Sequence, residues 1–150
     1  GHGFQLVFNV INQQALSIIE KAQQSRKGII VRMPLQFGLL TGKFDKNTRF
    51  AANDHRHFRL TPEILDSSLD ALEEVWPLCE KYGINKTELS MSFILSFAEV
   101  STVIPGIKTP EQAEKNTRSI VRLDKEDRDF IVSLFERRFK AVLRQMQQQG

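Results

Sequence analysis

The sequence has little of what stabilises secreted or membrane proteins. It contains a single cysteine, Cys79, so no internal disulfide can form and a reducing compartment is expected. It has no run of about 18 apolar residues for a membrane span, and its first residues lack the charged-then-apolar pattern of a signal peptide. We therefore expect a cytoplasmic protein without a membrane partner.

Charge of one sign is not concentrated anywhere in the chain. The 21 lysine and arginine residues are interspersed with 18 acidic residues, which gives a net charge of +3 and a pI of about 9.2. No basic stripe with interleaved aromatic residues is present, so a nucleic-acid partner is not expected. The modest positive excess suits an anionic small molecule.

Three short apolar segments predict buried β-strands. They are residues 4–10, 29–33 and 101–104, and apolar residues at helical spacing over residues 15–22 separate the first two. Strands that are apolar throughout, instead of alternating, favour a parallel sheet covered on its faces. The predicted fold class is α/β, with about three parallel strands and surrounding helices.

Further helices are predicted from their starting signals. Thr61, Asn85 and Thr109 are N-cap residues followed by proline or acidic residues, and a last helix begins near Asp124. Residues 42–60 are polar and aperiodic. A loop of this length in a compact domain usually carries function.

The first candidate motif, residues 34–43 (PLQFGLLTGK), directly follows the second strand. It therefore lies at the strand's carboxyl end, where α/β proteins bind ligands. Gly38 and Gly42 allow backbone amides to approach a phosphate closely, and Lys43 adds positive charge. A glycine-containing turn with a solvated lysine is the structural alternative.

The second motif, residues 104–110 (IPGIKTP), repeats this arrangement after the third strand. Gly106 turns the chain, and Lys108 precedes a capped helix whose unpaired amides can bind an anion. Gln112 and Asn116 share a face of that helix, so both amides could address one ligand. A purely structural helix start is the alternative.

Together with Gln5, Phe8 and Asn9, the two motifs occur in the order and at the approximate intervals found in aldo-keto reductases. The chain resembles that family over nearly its whole length. It is most similar to bacterial reductases related to aryl-alcohol dehydrogenases, which also place an Asp-x-Arg, here Asp54 and Arg56, in the long loop.

The resemblance implies a (β/α)₈ TIM barrel, which typically takes about 250 residues. A chain of 150 residues is then expected to be a part of one. Residues 4–150 would form a C-terminal half-barrel carrying the NADP-binding motifs, and residues 1–3 (GHG) look like a tag remnant.

The resemblance also implies contacts with NADP. In the family, a glutamine at the position of Gln5 contacts the nicotinamide amide, and an aromatic residue at the position of Arg32 stacks on the nicotinamide ring, so Arg32 is a departure. The glycine loop holds the pyrophosphate, and the second motif meets the 2′-phosphate and adenosine. The implied cofactor-binding residues are Gln5, Arg32, Leu35, Phe37, Gly38, Leu40, Lys43, Gly106, Lys108, Thr109, Gln112 and Asn116.

The family reduces carbonyls by hydride transfer from NADPH, while a tyrosine assisted by lysine, aspartate and histidine donates the proton. Those residues belong to the first four strands of the barrel. The only tyrosine here, Tyr82, lies at a helix end without an accompanying motif and is expected to be structural. No catalytic residue is predicted in this chain, and NADPH and a small carbonyl substrate are the partners expected of the parent protein.

Two other functions stay open. One is a nucleotide-binding or regulatory protein without turnover, since some relatives of these reductases are redox-sensing channel subunits. The other is a structural module assembled by association of chains. An open arc of three strands exposes its inner face and two edges, so self-association is expected.

The long loop also contains His55 and His57, a spacing that can bind a metal. Without a cysteine or a third positioned ligand, no metal site is predicted. Asp54, His55 and Arg56 are expected to hold the loop by an ion pair and hydrogen bonds.

Overall fold

The computed structural model describes residues 1–149, apart from the side chain of Gln23. Within them, three strands and a series of helices follow one another in the order expected of an α/β protein. The strands are β1 (Gly3–Val7), β2 (Gly28–Arg32) and β3 (Val100–Ile104). The α-helices are α1 (Leu16–Gln24), α2 (Arg56–Arg59), α3 (Pro62–Leu72), α4 (Pro77–Tyr82), α5 (Lys86–Leu95), α6 (Pro110–Thr117), α7 (Lys125–Leu134) and α8 (Lys140–Gln148). Within the same residues, no helix is long and apolar enough to cross a membrane.

The strands form one parallel sheet in the order β1-β2-β3. Gly3 pairs with Gly28, and the pairing of β1 with β2 continues without a shift. β3 has an irregularity next to Ile29, where the Ile29 amide donates to the Ser101 hydroxyl at 3.2 Å. The predicted parallel sheet is confirmed. Within the described residues, β1 and β3 each have one edge without a strand partner.

The first strand differs from its prediction at both ends. It begins at Gly3, inside the residues interpreted as a tag remnant, and it ends at Val7 and not at residue 10. Asn9 turns the chain there, because its Oδ1 accepts from two following backbone amides at 3.0 and 2.8 Å. Residues 8–10 are nevertheless fully buried. The apolar run predicted burial correctly and strand length incorrectly.

One face of the sheet carries the hydrophobic core. Ile29 and Val31 of β2 are fully buried there, and α1 and α5 pack on β2 and β3. Phe8, Phe93 and Phe97 form an aromatic cluster with ring centroids 5.2 to 5.6 Å apart. Such pairs stabilise beyond their buried area. We call this side of the sheet the outer face.

The opposite face, which we call the inner face, is open. Gln5, Arg32 and Thr102 are exposed on it, Ile30 is half-buried, and Ile104 is 50% exposed. In a closed barrel the residues of this face would point inward, because alternate side chains of a strand lie on opposite faces. The partial barrel therefore leaves its interior surface uncovered.

The helix starts follow the predicted capping. The Glu88 amide donates to Asn85 Oδ1 at 2.9 Å, and the Asn85 amide donates to Glu88 Oε2 at 2.8 Å, so α5 begins with a complete capping box. Thr61 and Thr109 cap α3 and α6. α3 and α4 are separate helices, and Pro77 is the first residue of α4. Proline suits that position because the amide it lacks would have no helical partner.

Candidate functional site

A cavity of about 1010 Å³ opens at the carboxyl ends of β2 and β3. Pockets for small ligands usually measure about 300–1,000 Å³, so this one has room for a large ligand. Three segments form its wall: the turn after β2, the segment between β3 and α6, and residues 53–56 of the long loop. The position matches the one predicted from both motifs, at the carboxyl edge of the sheet.

The turn after β2 (residues 33–38), which we call the β2 turn, has a strained backbone. Met33, Gln36 and Phe37 have φ angles of 55°, 40° and 57°, in the left-handed region. For residues with side chains this conformation costs about 1–3 kcal/mol each and is kept only where the surroundings impose it. Gly38 has φ 95°, and a Cβ there would lie 3.0 Å from a ring carbon of Phe44, so glycine is required.

Two buried amide side chains hold the β2 turn. Asn9, which is fully buried, donates from Nδ2 to the Met33 carbonyl at 2.9 Å and to Gln36 Oε1 at 2.8 Å. Gln36 is 4% exposed, and its Nε2 lies 3.5 Å from the Met146 sulfur of α8. The sequence motifs contain both residues, yet neither was assigned a role. The one available signal was a polar amide inside an otherwise apolar segment.

The second wall is the start of α6. Gly106, Lys108 and Gln112 line the cavity. Thr109 caps the helix by accepting from the Gln112 amide at 3.2 Å, and Gln112 Oε1 accepts from the Lys108 amide at 2.7 Å. The Lys108 side chain is exposed, and its ammonium group makes no hydrogen bond or ion pair within residues 1–149. An unpaired cation at the positive end of a helix favours an anionic ligand.

The long loop supplies the third wall through an ion pair. Arg56 Nε donates to Asp54 Oδ1 at 2.9 Å, and a second guanidinium nitrogen donates to the other carboxylate oxygen. Hydrogen bonding to Arg56 holds the pKa of the Asp54 carboxyl well below its usual value. The Arg56 guanidinium also lies 4.7 Å from the ring centroid of Phe50. The expected ion pair between Asp54 and Arg56, the proposed anchor of the loop, is present.

His55 joins this wall to the β2 turn, since its ring centroid lies 6.0 Å from that of Phe37. His57 points elsewhere, with Nδ1 2.9 Å from the Phe50 carbonyl. Within residues 1–149, no group of three or more histidine, cysteine, aspartate or glutamate side chains is placed to hold a metal ion.

The structure brings half of the predicted cofactor-binding residues together. Those that line the cavity are Leu35, Phe37, Gly38, Gly106, Lys108 and Gln112. Thr109 lies beside them as the cap of α6.

The remaining predicted residues lie elsewhere. Gln5 and Arg32 are exposed on the inner face of the sheet, and Lys43 is exposed outside the cavity wall. Asn116 is 8% exposed on α6. Leu40 is fully buried in the core, and its side chain does not line the cavity. Leu35, within the β2 turn, lines the cavity, whereas Leu40 lies beyond the turn in the core.

Tyr82 has the structural environment expected of it. Its hydroxyl donates to the Asp127 carboxylate and accepts from the Asp124 amide at 2.8 Å, which links α4 to the start of α7. Lys81 donates to the same Asp127 oxygen at 2.5 Å. Burial and the Asp127 carboxylate raise the pKa of Tyr82, so this tyrosine holds its proton more firmly than usual. It does not line the cavity.

The sequence of this chain is similar to a known protein family and to several characterised proteins. The family described as "Aldo/keto reductase family" matches residues 4–136. The chain is 25% identical over 123 residues to the L-glyceraldehyde 3-phosphate reductase of Escherichia coli, covering 77% of this chain and 36% of that protein. It is 26% identical over 119 residues to the NADH-specific methylglyoxal reductase of Escherichia coli, covering 73% of this chain and 36% of that protein.

A solved structure shares the fold. The glycerol dehydrogenase of Gluconobacter oxydans superposes with a TM-score of 0.76 at 22% identity, covering 89% of this chain and 42% of that one. The chain thus spans well under half the length of the proteins it matches. The likeness confirms the predicted fold class, a part of a (β/α) barrel with three parallel strands. Since the family match extends over most of its length and the barrel architecture is shared, the chain belongs to the aldo/keto reductase family.

Proposed function

We propose that this chain is the cofactor-binding part of an NADPH-dependent aldo-keto reductase that reduces a small carbonyl compound. Hydride passes from the nicotinamide to the carbonyl carbon, and an acid protonates the oxygen. The described residues bind and orient the cofactor, and the acid comes from outside them. Membership of the family and its two reductase relatives support an oxidoreductase.

The observation that carries the proposal is the cavity wall. Residues of the β2 turn and of the start of α6 line one space of about 1010 Å³, and Lys108 adds a positive charge at its edge. A dinucleotide brings a pyrophosphate and a terminal phosphate to such a space. Anion binding by helix starts and by turns with left-handed residues is a general property of the backbone.

Lys108 is proposed to select NADPH over NADH. It stands at the start of α6 beside the Thr109 hydroxyl, where a 2′-phosphate would accept a charge-assisted hydrogen bond. One relative is named as NADH-specific, so the preference needs a direct test. We expect Lys108→Ala to weaken NADPH binding by about tenfold to a hundredfold, because a hydrogen bond to a charged group contributes about 1.5–3 kcal/mol.

Titration calorimetry with both nucleotides measures this effect. NADH affinity should change less than about twofold, since NADH has no 2′-phosphate for Lys108 to contact. Lys115→Ala, an exposed lysine on the same helix, is the matched control and should leave both affinities unchanged. Equal losses for NADPH and NADH in Lys108→Ala would contradict the assigned role.

The chain alone is proposed to lack reductase activity. The cavity wall contains no tyrosine within the described residues, and the Tyr82 hydroxyl is engaged between α4 and α7. NADPH oxidation with aldehydes should therefore stay at the level of the uncatalysed reaction. Steady turnover that persists in Tyr82→Phe would overturn this, and His55→Ala would then test His55 as the donor. Binding without turnover in the full-length parent would favour the non-catalytic, nucleotide-binding alternative.

We also propose that a second copy of the chain covers the inner face. Ile30 and Ile104 are apolar positions on that face, and β1 and β3 each present an unpaired edge within the described residues. A second copy supplies both missing edges at once, whereas a covering helix supplies neither. Sedimentation at micromolar concentration should give a dimer or larger. A monomer with cooperative unfolding would contradict the proposal, and a complex only with a separate barrel half would identify another occupant.

A further inference from the structure

The β2 turn combines a strained backbone with two hydrogen bonds from the side chain of Asn9, which follows β1. We infer that Asn9 is a positioning residue that holds the β2 turn in its ligand-binding shape. That Asn9 holds the turn follows from its hydrogen bonds. That losing them weakens nucleotide binding rests on the proposed function.

Every hydrogen-bonding position of the Asn9 side chain is used. Oδ1 accepts from the amides of Ile11 and Asn12 at 3.0 and 2.8 Å. Nδ2 donates to the Met33 carbonyl at 2.9 Å and to Gln36 Oε1 at 2.8 Å. Backbone amides can only donate and a carbonyl can only accept, so these partners fix the orientation of the side-chain amide. Oδ1 of Asn9 therefore stabilises the turn that follows β1, and its Nδ2 holds the β2 turn.

The donating side contacts the residues where the strain lies. Met33 and Gln36, both at positive φ, are the two partners of Nδ2, and Phe37 at φ 57° follows directly and lines the cavity. Residues with side chains leave such conformations when nothing holds them. Without the donor of Asn9, the β2 turn would relax, and the part of the cavity wall that Phe37 forms would move.

A simpler role for Asn9 would be to cap the turn between β1 and α1. Asp and Asn accept hydrogen bonds from following amides equally well, so a capping role alone survives Asn9→Asp. The donating role does not, because an aspartate places an oxygen where the Met33 carbonyl and Gln36 Oε1 need a donor. This substitution removes the donor and keeps the acceptor, and Gln36→Leu, which introduces no charge, separates loss of the donor contact from the cost of a buried carboxylate.

The experiment is hydrogen exchange by mass spectrometry on peptides covering residues 33–40, together with titration calorimetry with NADPH. For Asn9→Asp we expect at least about tenfold faster amide exchange in these peptides, because the β2 turn opens locally. We also expect at least about tenfold weaker NADPH binding. Asn12→Asp is the matched control, since Asn12 uses only its Oδ1, to accept from the Gln14 amide at 3.3 Å, and both readouts should stay at the wild-type level.

Gln36→Leu tests the hydrogen bond between Asn9 and Gln36 by removing its acceptor. It keeps the inference testable if Asn9→Asp fails to fold. It removes the partner of Asn9 at a buried site where leucine fits by size, and it should accelerate exchange in the same peptides. Unchanged exchange in both variants overturns the inference. Faster exchange with unchanged NADPH affinity overturns its binding part. Failure of the wild-type chain to bind NADPH overturns the proposed function instead, and exchange alone then decides whether Asn9 holds the turn.

Discussion

The outer and inner faces of the sheet are built from alternate residues of the same strands, yet they differ in what they contact. On β2, Ile29 and Val31 are fully buried under helices, whereas Ile30 is half-buried and Arg32 is exposed. Each outer position has an inner neighbour one residue away, since the side-chain period of a strand is two. The outer face carries the hydrophobic core that stabilises the fold. The inner face and the cavity beside it are exposed, as the proposed contacts with a cofactor or a second chain require.

Among the residues that the structure describes, a strained turn and an unpaired charge occur together at the cavity. The core side of the molecule has satisfied caps and close aromatic packing around Phe93. The cavity side has the strained β2 turn and the unpaired Lys108 within the described residues. Strained backbone and unpaired polar groups are typical of binding sites because the ligand supplies their missing partners.

The largest expected effect is on the free energy of unfolding, which should fall much more for Ile29→Ala than for Ile30→Ala. Ile29→Ala should lower the free energy of unfolding by about 2–5 kcal/mol, because it leaves a cavity in the core. Ile30→Ala should cost under about 1 kcal/mol, since its side chain is already partly in solvent. Urea unfolding at low protein concentration measures both. A loss for Ile30→Ala as large as for Ile29→Ala, growing with protein concentration, would show that a second copy packs on the inner face.

A smaller effect on the free energy of unfolding is expected at Tyr82, which links α4 to the start of α7. Tyr82→Phe should lower the free energy of unfolding by about 1–2 kcal/mol, the contribution of the hydroxyl hydrogen bonds between α4 and α7. The cofactor site does not use this hydroxyl, so NADPH affinity should stay at the wild-type value. A loss of NADPH affinity would show that the two sides of the molecule are coupled.

The pH dependence of the Tyr82 contribution has a definite sign. Because folding raises the pKa of Tyr82, its contribution is complete below the ordinary value of about 10 and is lost as pH rises through the folded value. The stability difference between wild type and Tyr82→Phe should therefore shrink in alkaline urea titrations above about pH 10. A difference that stays constant there would contradict the assigned hydrogen bonds.

The smallest effect on global stability is expected for the loop anchor. Asp54→Asn should leave the unfolding midpoint nearly unchanged but accelerate amide exchange in residues 42–60, because it removes the ion pair with Arg56. Folding lowers the pKa of Asp54, so the anchor is fully present above about 3.9 and is lost only as pH falls through the lower folded value.

The wild-type loop should therefore stay protected in moderately acidic buffer, where its protection is compared with that of Asp54→Asn. Asp45→Asn serves as the control from the same loop, since asparagine retains the oxygen that accepts from the Asn47 amide. Equal protection of the loop in wild type and Asp54→Asn would show that the anchor lies elsewhere.

Local signals predicted much of this structure. The capping box of Asn85 and Glu88, the caps at Thr61 and Thr109, and the three parallel strands were all readable, because each depends on residues close together in sequence. The end of β1 was not, since Asn9 turns the chain inside an apolar run that looks like a continuous strand. A single side chain outweighed the hydrophobic pattern there.

Local sequence patterns establish the α/β class, the helix starts and the position of both motifs at the carboxyl ends of strands. They follow from hydrophobic periodicity, glycine placement and helix capping, which act over a few residues, whereas the family follows from the resemblance that the motifs carry. Which residues of one motif line the cavity depends on three-dimensional packing, since Leu35 lines it and Leu40 is buried in the core. The same holds for the partners of Asn9, which lie 24 and 27 residues away and are brought within hydrogen-bond distance only when β1 and β2 pair.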